Sequence, residues 1–494
     1  MRRLSLYILP VVIFTAALLS SCGKKAEENS DIPITTTSEE ARAAFIEGRD
    51  ALEVGRSEQA RAAFDRALAA DPSFALACVY RARTATSASD WKEWADKAIA
   101  NRENTSAGEK ILLDSFAAML DDDIQQELNL AQQLVKAYPK SARAQIELAD
   151  AYSGMENIEE ARAAMLAAAE LDPTWALPHN RLAVSFIFDE PRDLSKAESE
   201  ASRYVELKPG EADAHITLGD VYRAQLDLEK ARNAYAKAAE VDPTSAVAFS
   251  KKGHADTFLG NYDAARSDYS SAVEKSDRWK IGGKNFAVYT WLYAGDINAA
   301  LAANQSVIDA APSLISDPGE LQQALNSCYE DRCRIAIEAR AFAVAAEAMV
   351  KHTELSRELA TIVKNEAYTA STEGQLAVLG GLMALRQGKL IDASALADSA
   401  ERMLREQSNP RAMNPVHFLR GLIAMEEGNP TSAISFFDSS GDDMIEVKYY
   451  KALALEALGE NDKAAKLFQA VVDWNFNDLN YALVRGKAEA KLKS

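Results

Sequence analysis

"HITLGDVYRAQLDLEKARNAYAKAAEVDP" spans His215–Pro243, and its Leu218-Gly219, Tyr222, Ala231, Tyr235, Ala238 and Pro243 recur farther along the chain. Gly219 to Gly253, Ala231 to Ala265 and Tyr235 to Tyr269 are each 34 residues apart. Self-similarity at a fixed period of this length marks an array of stacked units. Each residue type has a mechanical reason to recur. Two helices cross closely within a unit, so Gly219 on the first and Ala231 on the second must be small. Tyr222 and Tyr235 fill the wedge between them, and Pro243 cannot continue a helix and closes the unit.

The pattern Leu-Gly-x2-Tyr, Ala-x3-aromatic-x2-Ala and Pro resembles the tetratricopeptide repeat. That resemblance implies an all-α, right-handed superhelical solenoid of helix-turn-helix repeats. Units begin near Ala41, Ala75, Gly108, Ala142, Ala176, Ala212, Ala246 and Ile281, giving an N-terminal array over 41–312. The frame is lost over 313–373, which is expected to be an irregular helical segment because its apolar spacing is still amphipathic. It returns over 374–477, in units marked by Gly381 and Gly388, by Gly421 and Phe437, and by Gly459 and Phe468. Residues 478–494 are expected to be a capping helix, and the count is about eleven repeats. The first two units also resemble repeat regions attached to bacterial signalling kinases and cyclases, but no kinase motif accompanies them.

Composition agrees with helices: among 494 residues there are only 22 Gly and 14 Pro, while 26% are charged. The net charge of -19 should repel phosphate backbones, so nucleic acid is excluded as an expected partner.

The opening "MRRLSLYILPVVIFTAALLSSC" places two arginines before an apolar run and small residues before Cys22, the layout of a signal peptide over 1–21. A transmembrane helix is the weaker alternative, since the run is short and Pro10 interrupts it. Leu19-Ser20-Ser21-Cys22 resembles a bacterial lipobox. The resemblance implies a lipoprotein whose Cys22 is acylated, as with palmitate, and becomes the new N-terminus. It also implies a lipid-anchored place in the bacterial cell envelope. Gly23 in place of the inner-membrane Asp favours the outer membrane where there is one. Residues 22–40 read as a flexible tether.

No metal, phosphate-loop or hydrolase motif occurs, so neither cofactor, metal nor catalytic residue is expected. His179 and His215 hold the fourth repeat position, which packs between helices. Cys78 reads as a small buried filler. Cys328 and Cys333 lie too far apart to bridge on a continuous helix, whereas a turn at Tyr329–Arg332 would allow a disulfide in an oxidising compartment; both readings stay open.

The family resemblance further implies a concave, protein-binding groove lined by first-helix residues at repeat positions two, five, nine and twelve. Its early part holds Arg42, Phe45, Arg49, Val79, Arg83, Leu112 and Phe116. Farther along it holds Ile146, Asp150, Asn180, Asp220, Arg223, His254, Asn285 and Tyr289. The Lys and Asn clamp that some family members use for a terminal carboxylate is absent, since Phe45 and Arg49, or Asn180 and Val184, stand there. A strip of Arg42, Arg49 and Arg83 suits an acidic, partly apolar peptide; the competing reading is a solvated charged face. The expected function is a non-catalytic, membrane-anchored scaffold or adaptor for protein partners in envelope assembly, secretion or signalling. The alternative is an enzyme whose unrecognised site lies in 313–373, built from Cys328, Cys333 and His352. The oligomeric state is left open.

Overall fold

The computed structural model describes residues 31–441 and 444–494. The signal segment, Cys22 and the start of the tether lie outside the described residues. Among those described, 25 α-helices and no strand are found, and all but the last helix pair into hairpins. The first helices of the eight N-terminal hairpins are Glu39–Glu53, Ala75–Arg83, Ala107–Leu120, Ala142–Gly154, Leu177–Phe188, Ala212–Ala224, Ala246–Phe258 and Gly282–Tyr293. Hairpins stack in chain order into an all-α solenoid.

Two recurrent turns set the stacking. Within most hairpins one residue adopts a left-handed conformation, and the next amide bonds back to the carbonyl five positions earlier. Gly260 (φ 80°) with Asn261→Asp256 at 2.8 Å is one case. Between hairpins, Asp71-Pro72-Ser73, Asp172-Pro173-Thr174 and Asp242-Pro243-Thr244 repeat one device. The Asp carboxylate accepts both the backbone N–H and the hydroxyl of the residue two on, at 2.6–3.0 Å, while Pro blocks further helix.

The Gly219–Tyr235 pairing is literal contact: a Cβ on Gly219 would lie 2.4 Å from the Tyr235 ring. Tyr235 and Ala231 are fully buried. Gly381 departs from this scheme, because its missing Cβ makes room for Leu419 of the following hairpin, at 2.4 Å.

Residues expected to be irregular form another regular hairpin, Pro318–Glu338 and Phe342–Val363, of 21 and 22 residues. Its added length is why the 34-residue frame fails there. The same length settles the cysteine pair. Tyr329–Arg332 is helical, Cys328 and Cys333 point to different neighbours, and both are free, buried thiols, so the disulfide does not form.

The coil winds tightly enough that successive turns touch. Thr86 donates to Glu320, Ser408 N to Asp122 at 3.0 Å, and Arg411 pairs with Glu156. At the start of the array the turn after Glu53 reaches across the coil. There the Trp175 indole donates to Glu53 at 2.8 Å, Arg56 pairs with Glu211, and Gly55 abuts Asp213. At the far end Trp474 and Phe476 pack on Phe188, and the final helix Leu479–Lys493 lies against Gly282–Tyr293 and Pro318–Glu338 as well as its own predecessor. Residues 31–38, within the segment read as tether, run extended along the repeats: Thr35 N donates to Glu109 at 2.7 Å and Ser141 to Asp31 at 2.6 Å.

Candidate functional site

The inner wall of the coil is the candidate site, and most side chains expected to line it freely are engaged by the protein itself. Phe45, Val79, Phe116 and Ile146 are buried in the core, and Leu112 packs beside them. Phe45 packs tilted and edge-on among Phe64, Phe74 and Tyr80. The expected arginine strip is broken up. Arg42 donates to the carbonyls of Ile34 and Thr36 in the docked N-terminal segment, at 2.7 and 3.0 Å. Arg49 is held beside Asp50 and Glu53. Arg83 makes no direct ion pair, its guanidinium 5.0 Å from the Tyr80 ring centre, but it faces Glu147, Asp150 and Glu127, whose charges outweigh burial and hold it above its ordinary value. Asp150 pairs with Arg181 at 3.0 Å in the same chamber. Glu147 shares that chamber with no hydrogen-bond partner among the described residues, and burial raises its carboxyl above the ordinary range.

Farther along, the wall is closed by a polar network that single-residue pattern reading missed. The second-helix aromatic at hairpins five, six and seven is tyrosine, and each hydroxyl threads past the first helix. Tyr204 donates to Asp213 at 2.9 Å and Tyr235 to Asp220 at 2.6 Å, while the Tyr269 hydroxyl meets His254 Nδ1 at 2.8 Å. Asn180 donates to Asp213 at 3.0 Å, and Lys251 to Asp220 at 2.8 Å. Burial would push Asp220 up, but Lys251 and Arg223 beside it leave the carboxyl below its ordinary value. The choice of Tyr where Phe64 and Phe437 serve elsewhere was the available signal.

The chain's own C-terminal segment covers this network. The Arg223 guanidinium lies 4.1 Å from the Phe476 ring centre, and the side chain is almost wholly buried. His254 takes a hydrogen bond from Asn477 at 3.2 Å; burial, then Arg223 and Lys251, keep its imidazole well below its ordinary value and neutral. Arg223 and His254 are therefore internal residues, not a surface for a partner.

Asn285 and Tyr289 face Pro318–Glu338. Cys328 donates to Asn285 at 3.8 Å, and the Tyr289 hydroxyl donates to Asp331 at 2.6 Å. Burial lifts Asp331 from about 3.8 to about 7, with repulsion from Glu330 adding and Tyr289 and Arg334 opposing. Between pH 4 and 7 the folded chain thus keeps a proton that the unfolded chain releases, so this group's contribution to stability falls as pH rises through that window. Asp331→Asn retains an acceptor for Tyr289 and removes the titration. The variant is expected to gain about 2–3 kcal/mol of stability over the parent between pH 5 and pH 8, because each tenfold fall in proton concentration between the unfolded and folded pKa costs the parent ~1.4 kcal/mol. Denaturant melts at both values check it; an unchanged difference would refute the assignment.

A cleft of about 1120 Å³ lies where the turns of the first two hairpins face the seam between Tyr262–Lys275 and Gly282–Tyr293, and Arg83 and Asn285 are among the residues that line it.

Four segments of this chain, 47–99, 142–174, 212–245 and 446–473, match the tetratricopeptide repeat. No curated protein matches it. Among solved structures it is similar to yeast Tom70, at 14% identity over 87% of this chain and 96% of that one, with a TM-score of 0.43. It is also similar to Cut9 with Hcn1 of the APC/C, at 17% identity over 87% and 76%, TM-score 0.38. MamA from Desulfovibrio magneticus RS-1 aligns at 15% identity over 35% and 96%, TM-score 0.30.

Proposed function

We propose that this chain is a non-catalytic scaffold that binds protein partners through the inner wall of its repeat coil, held at a bacterial envelope membrane by acyl chains on Cys22. The observation that carries the reading is the open cleft. It brings charged and aromatic side chains, among them Arg278, Trp91 and the exposed Tyr368, to one concave surface. The repeat matches support a binding role, since stacked helical hairpins present extended, rigid surfaces. The lipobox-like Leu19-Ser20-Ser21-Cys22 supports the anchor, and the outer membrane is its place where one exists.

The enzymatic alternative gains nothing from its own residues. Burial pushes both the Cys328 and Cys333 thiols up to about 12, which suppresses the reactive thiolate at neutral pH. Cys333 donates to the Ala345 carbonyl at 3.6 Å while His352 Nδ1 meets the Asn326 carbonyl at 3.2 Å, so thiol and imidazole are committed to different partners.

Two measurements test the reading. A photo-crosslinking side chain at Ser327, in the cleft, should capture a discrete protein in cells, and the same group at convex Ser202 should not. Cys22→Ser should abolish palmitate labelling and move the protein to the soluble fraction. Equal capture at both positions, or none, removes the scaffold. Unaltered membrane fractionation removes the anchor.

A further inference from the structure

Residues 31–38 do more than lead into the first helix. Ile32, Ile34, Thr36 and Ser38 are partly buried against the repeats while the residues between them are exposed, the alternation of an extended segment lying on a surface. Ile32 packs on the cluster of Leu134, Tyr138 and Ala144, and Ile34 on the cluster around Phe45. Polar bonds fix the register across three hairpins. The Thr36 hydroxyl donates to Asp71 at 2.6 Å at the start of hairpin two, Thr35 N to Glu109 at 2.7 Å at the start of hairpin three, and the Ser141 hydroxyl to Asp31 at 2.6 Å at the start of hairpin four. Ser106 N in turn donates to Thr35 Oγ1 at 3.0 Å. The segment is a strap that runs backwards along the array, on the edge formed by the starts of the first helices. That edge is the outer end face of the coil. Thr86, Asp122 and Glu156, at the opposite ends of the same three hairpins, bond to Glu320, Ser408 and Arg411 of the next coil turn. The cleft lies on that far side too, with Ser57 and Thr86 in its wall. Asn414–Glu426 continues from Arg411 away from the strap, so its far end at Glu427 stands two helix lengths, about 40 Å, from the strapped edge.

We infer that the strapped end face is the surface this chain turns toward the lipid bilayer that holds Cys22, so that the coil stands on the membrane by its first turn, with the cleft and the C-terminal hairpins held away from it. The inference rests on the lipid-anchor reading and names which surface meets the lipid. Chain length carries it. Asp31 is nine residues from Cys22, and nine residues span at most about 30 Å however they are arranged. Without the strap the first fixed residue would be Glu39, seventeen residues from Cys22, with a reach of about 60 Å. The height of the coil, about 40 Å, falls between these two limits. With the strap in place the far face cannot come down onto the lipid; with the strap undone it can. Lying flat is opposed by charge, since a chain of net charge -19 would then bring both coil turns against anionic headgroups.

The test uses the full-length acylated protein, added from detergent to preformed vesicles of phosphatidylethanolamine and phosphatidylglycerol that carry an energy-transfer acceptor on their headgroups. A donor dye is attached through Ala137→Cys, at the strapped edge, or through Glu427→Cys, at the far face; both positions are exposed, whereas Cys78, Cys328 and Cys333 are buried. Transfer from the Ala137 position should be about twofold stronger or more. Ile32→Ser with Ile34→Ser and Thr36→Ala should release the strap, speed hydrogen exchange over 32–38 and cut that ratio by about half, because the free chain then exceeds the height of the coil. If this variant unfolds, an insertion of about eight Gly and Ser residues after Asn29 lengthens the free chain with the strap intact and should cut the ratio likewise. Equal transfer from the two positions, stronger transfer from the Glu427 position, or a ratio indifferent to the lengthened chain overturns the inference. The anchor reading fails separately. Protein carrying Cys22→Ser that still floats with the vesicles overturns the anchor and this inference with it, whereas flotation that needs Cys22 but comes with equal transfer overturns the orientation and leaves the anchor standing.

Discussion

Gly219→Ala and Tyr235→Ala, each destabilising alone, are expected to partly rescue one another. The added methyl carbon would sit 2.4 Å from the Tyr235 ring, so overpacking should cost about 1–3 kcal/mol. Truncating the fully buried Tyr235 should cost about 3–5 kcal/mol through the cavity, and it strips Asp220 of a hydroxyl 2.6 Å away. Together the methyl enters space the ring has left, so the double variant should be more stable than the summed losses by about 1–3 kcal/mol. Tyr235→Phe isolates the hydroxyl and should lose about 1 kcal/mol. Urea unfolding of the four variants measures the cycle. Strict additivity would mean that the two positions do not share the contact on which every hairpin crossing of this type depends.

The second large effect is expected at Tyr481, in the helix that closes the lumen. Its ring lies 5.8 Å from both Phe258 and Tyr293, and its hydroxyl donates to the Val472 carbonyl at 2.9 Å while accepting from Asn475 N at 3.2 Å. Tyr481→Ala should cost about 3–5 kcal/mol. More tellingly, it should release 474–494 from the wall. Hydrogen exchange should then accelerate in Leu479–Lys493 and at the covered ends of Ala246–Phe258 and Gly282–Tyr293, while Glu39–Glu53 stays protected. Uniform acceleration along the whole chain would mean that this helix is not a separable closure.

Much of the fold was legible because a hairpin is a local object. Small Gly219 and Ala231 against large Tyr235 fix a crossing within 34 residues, and the Asp-Pro-Thr turn ends it, so neither needs distant information. The hairpin from Pro318 to Val363 escaped because its helices, of 21 and 22 residues, are longer than the repeat frame allows; its non-glycine turn at Arg340 is shared with the recognised hairpins that turn on Glu156 and Leu226. The site was less legible for a different reason. Repeat positions two, five, nine and twelve say which way a side chain points from its own hairpin, and say nothing of what stands opposite. That depends on coil pitch, the sum of small rotations over many hairpins. Arg56 thus finds Glu211, and Arg223 finds Phe476, partners no local pattern predicts. A hint existed in "DWNFND", where Trp474 and Phe476 place aromatic rings in what reads as a connector.

The stitches between turns also bear on how the chain reaches its final shape. An isolated row of hairpins can zip outward from any nucleus, each one needing only its neighbours. Here Thr86–Glu320, Asp122–Ser408 and Glu156–Arg411 bridge 234, 286 and 255 positions, and each demands that the intervening chain be ordered first. Loop-closure entropy falls on these late pairings, so refolding should finish with a slow, concerted docking of one coil onto the other, and melting should lose the independence of its parts.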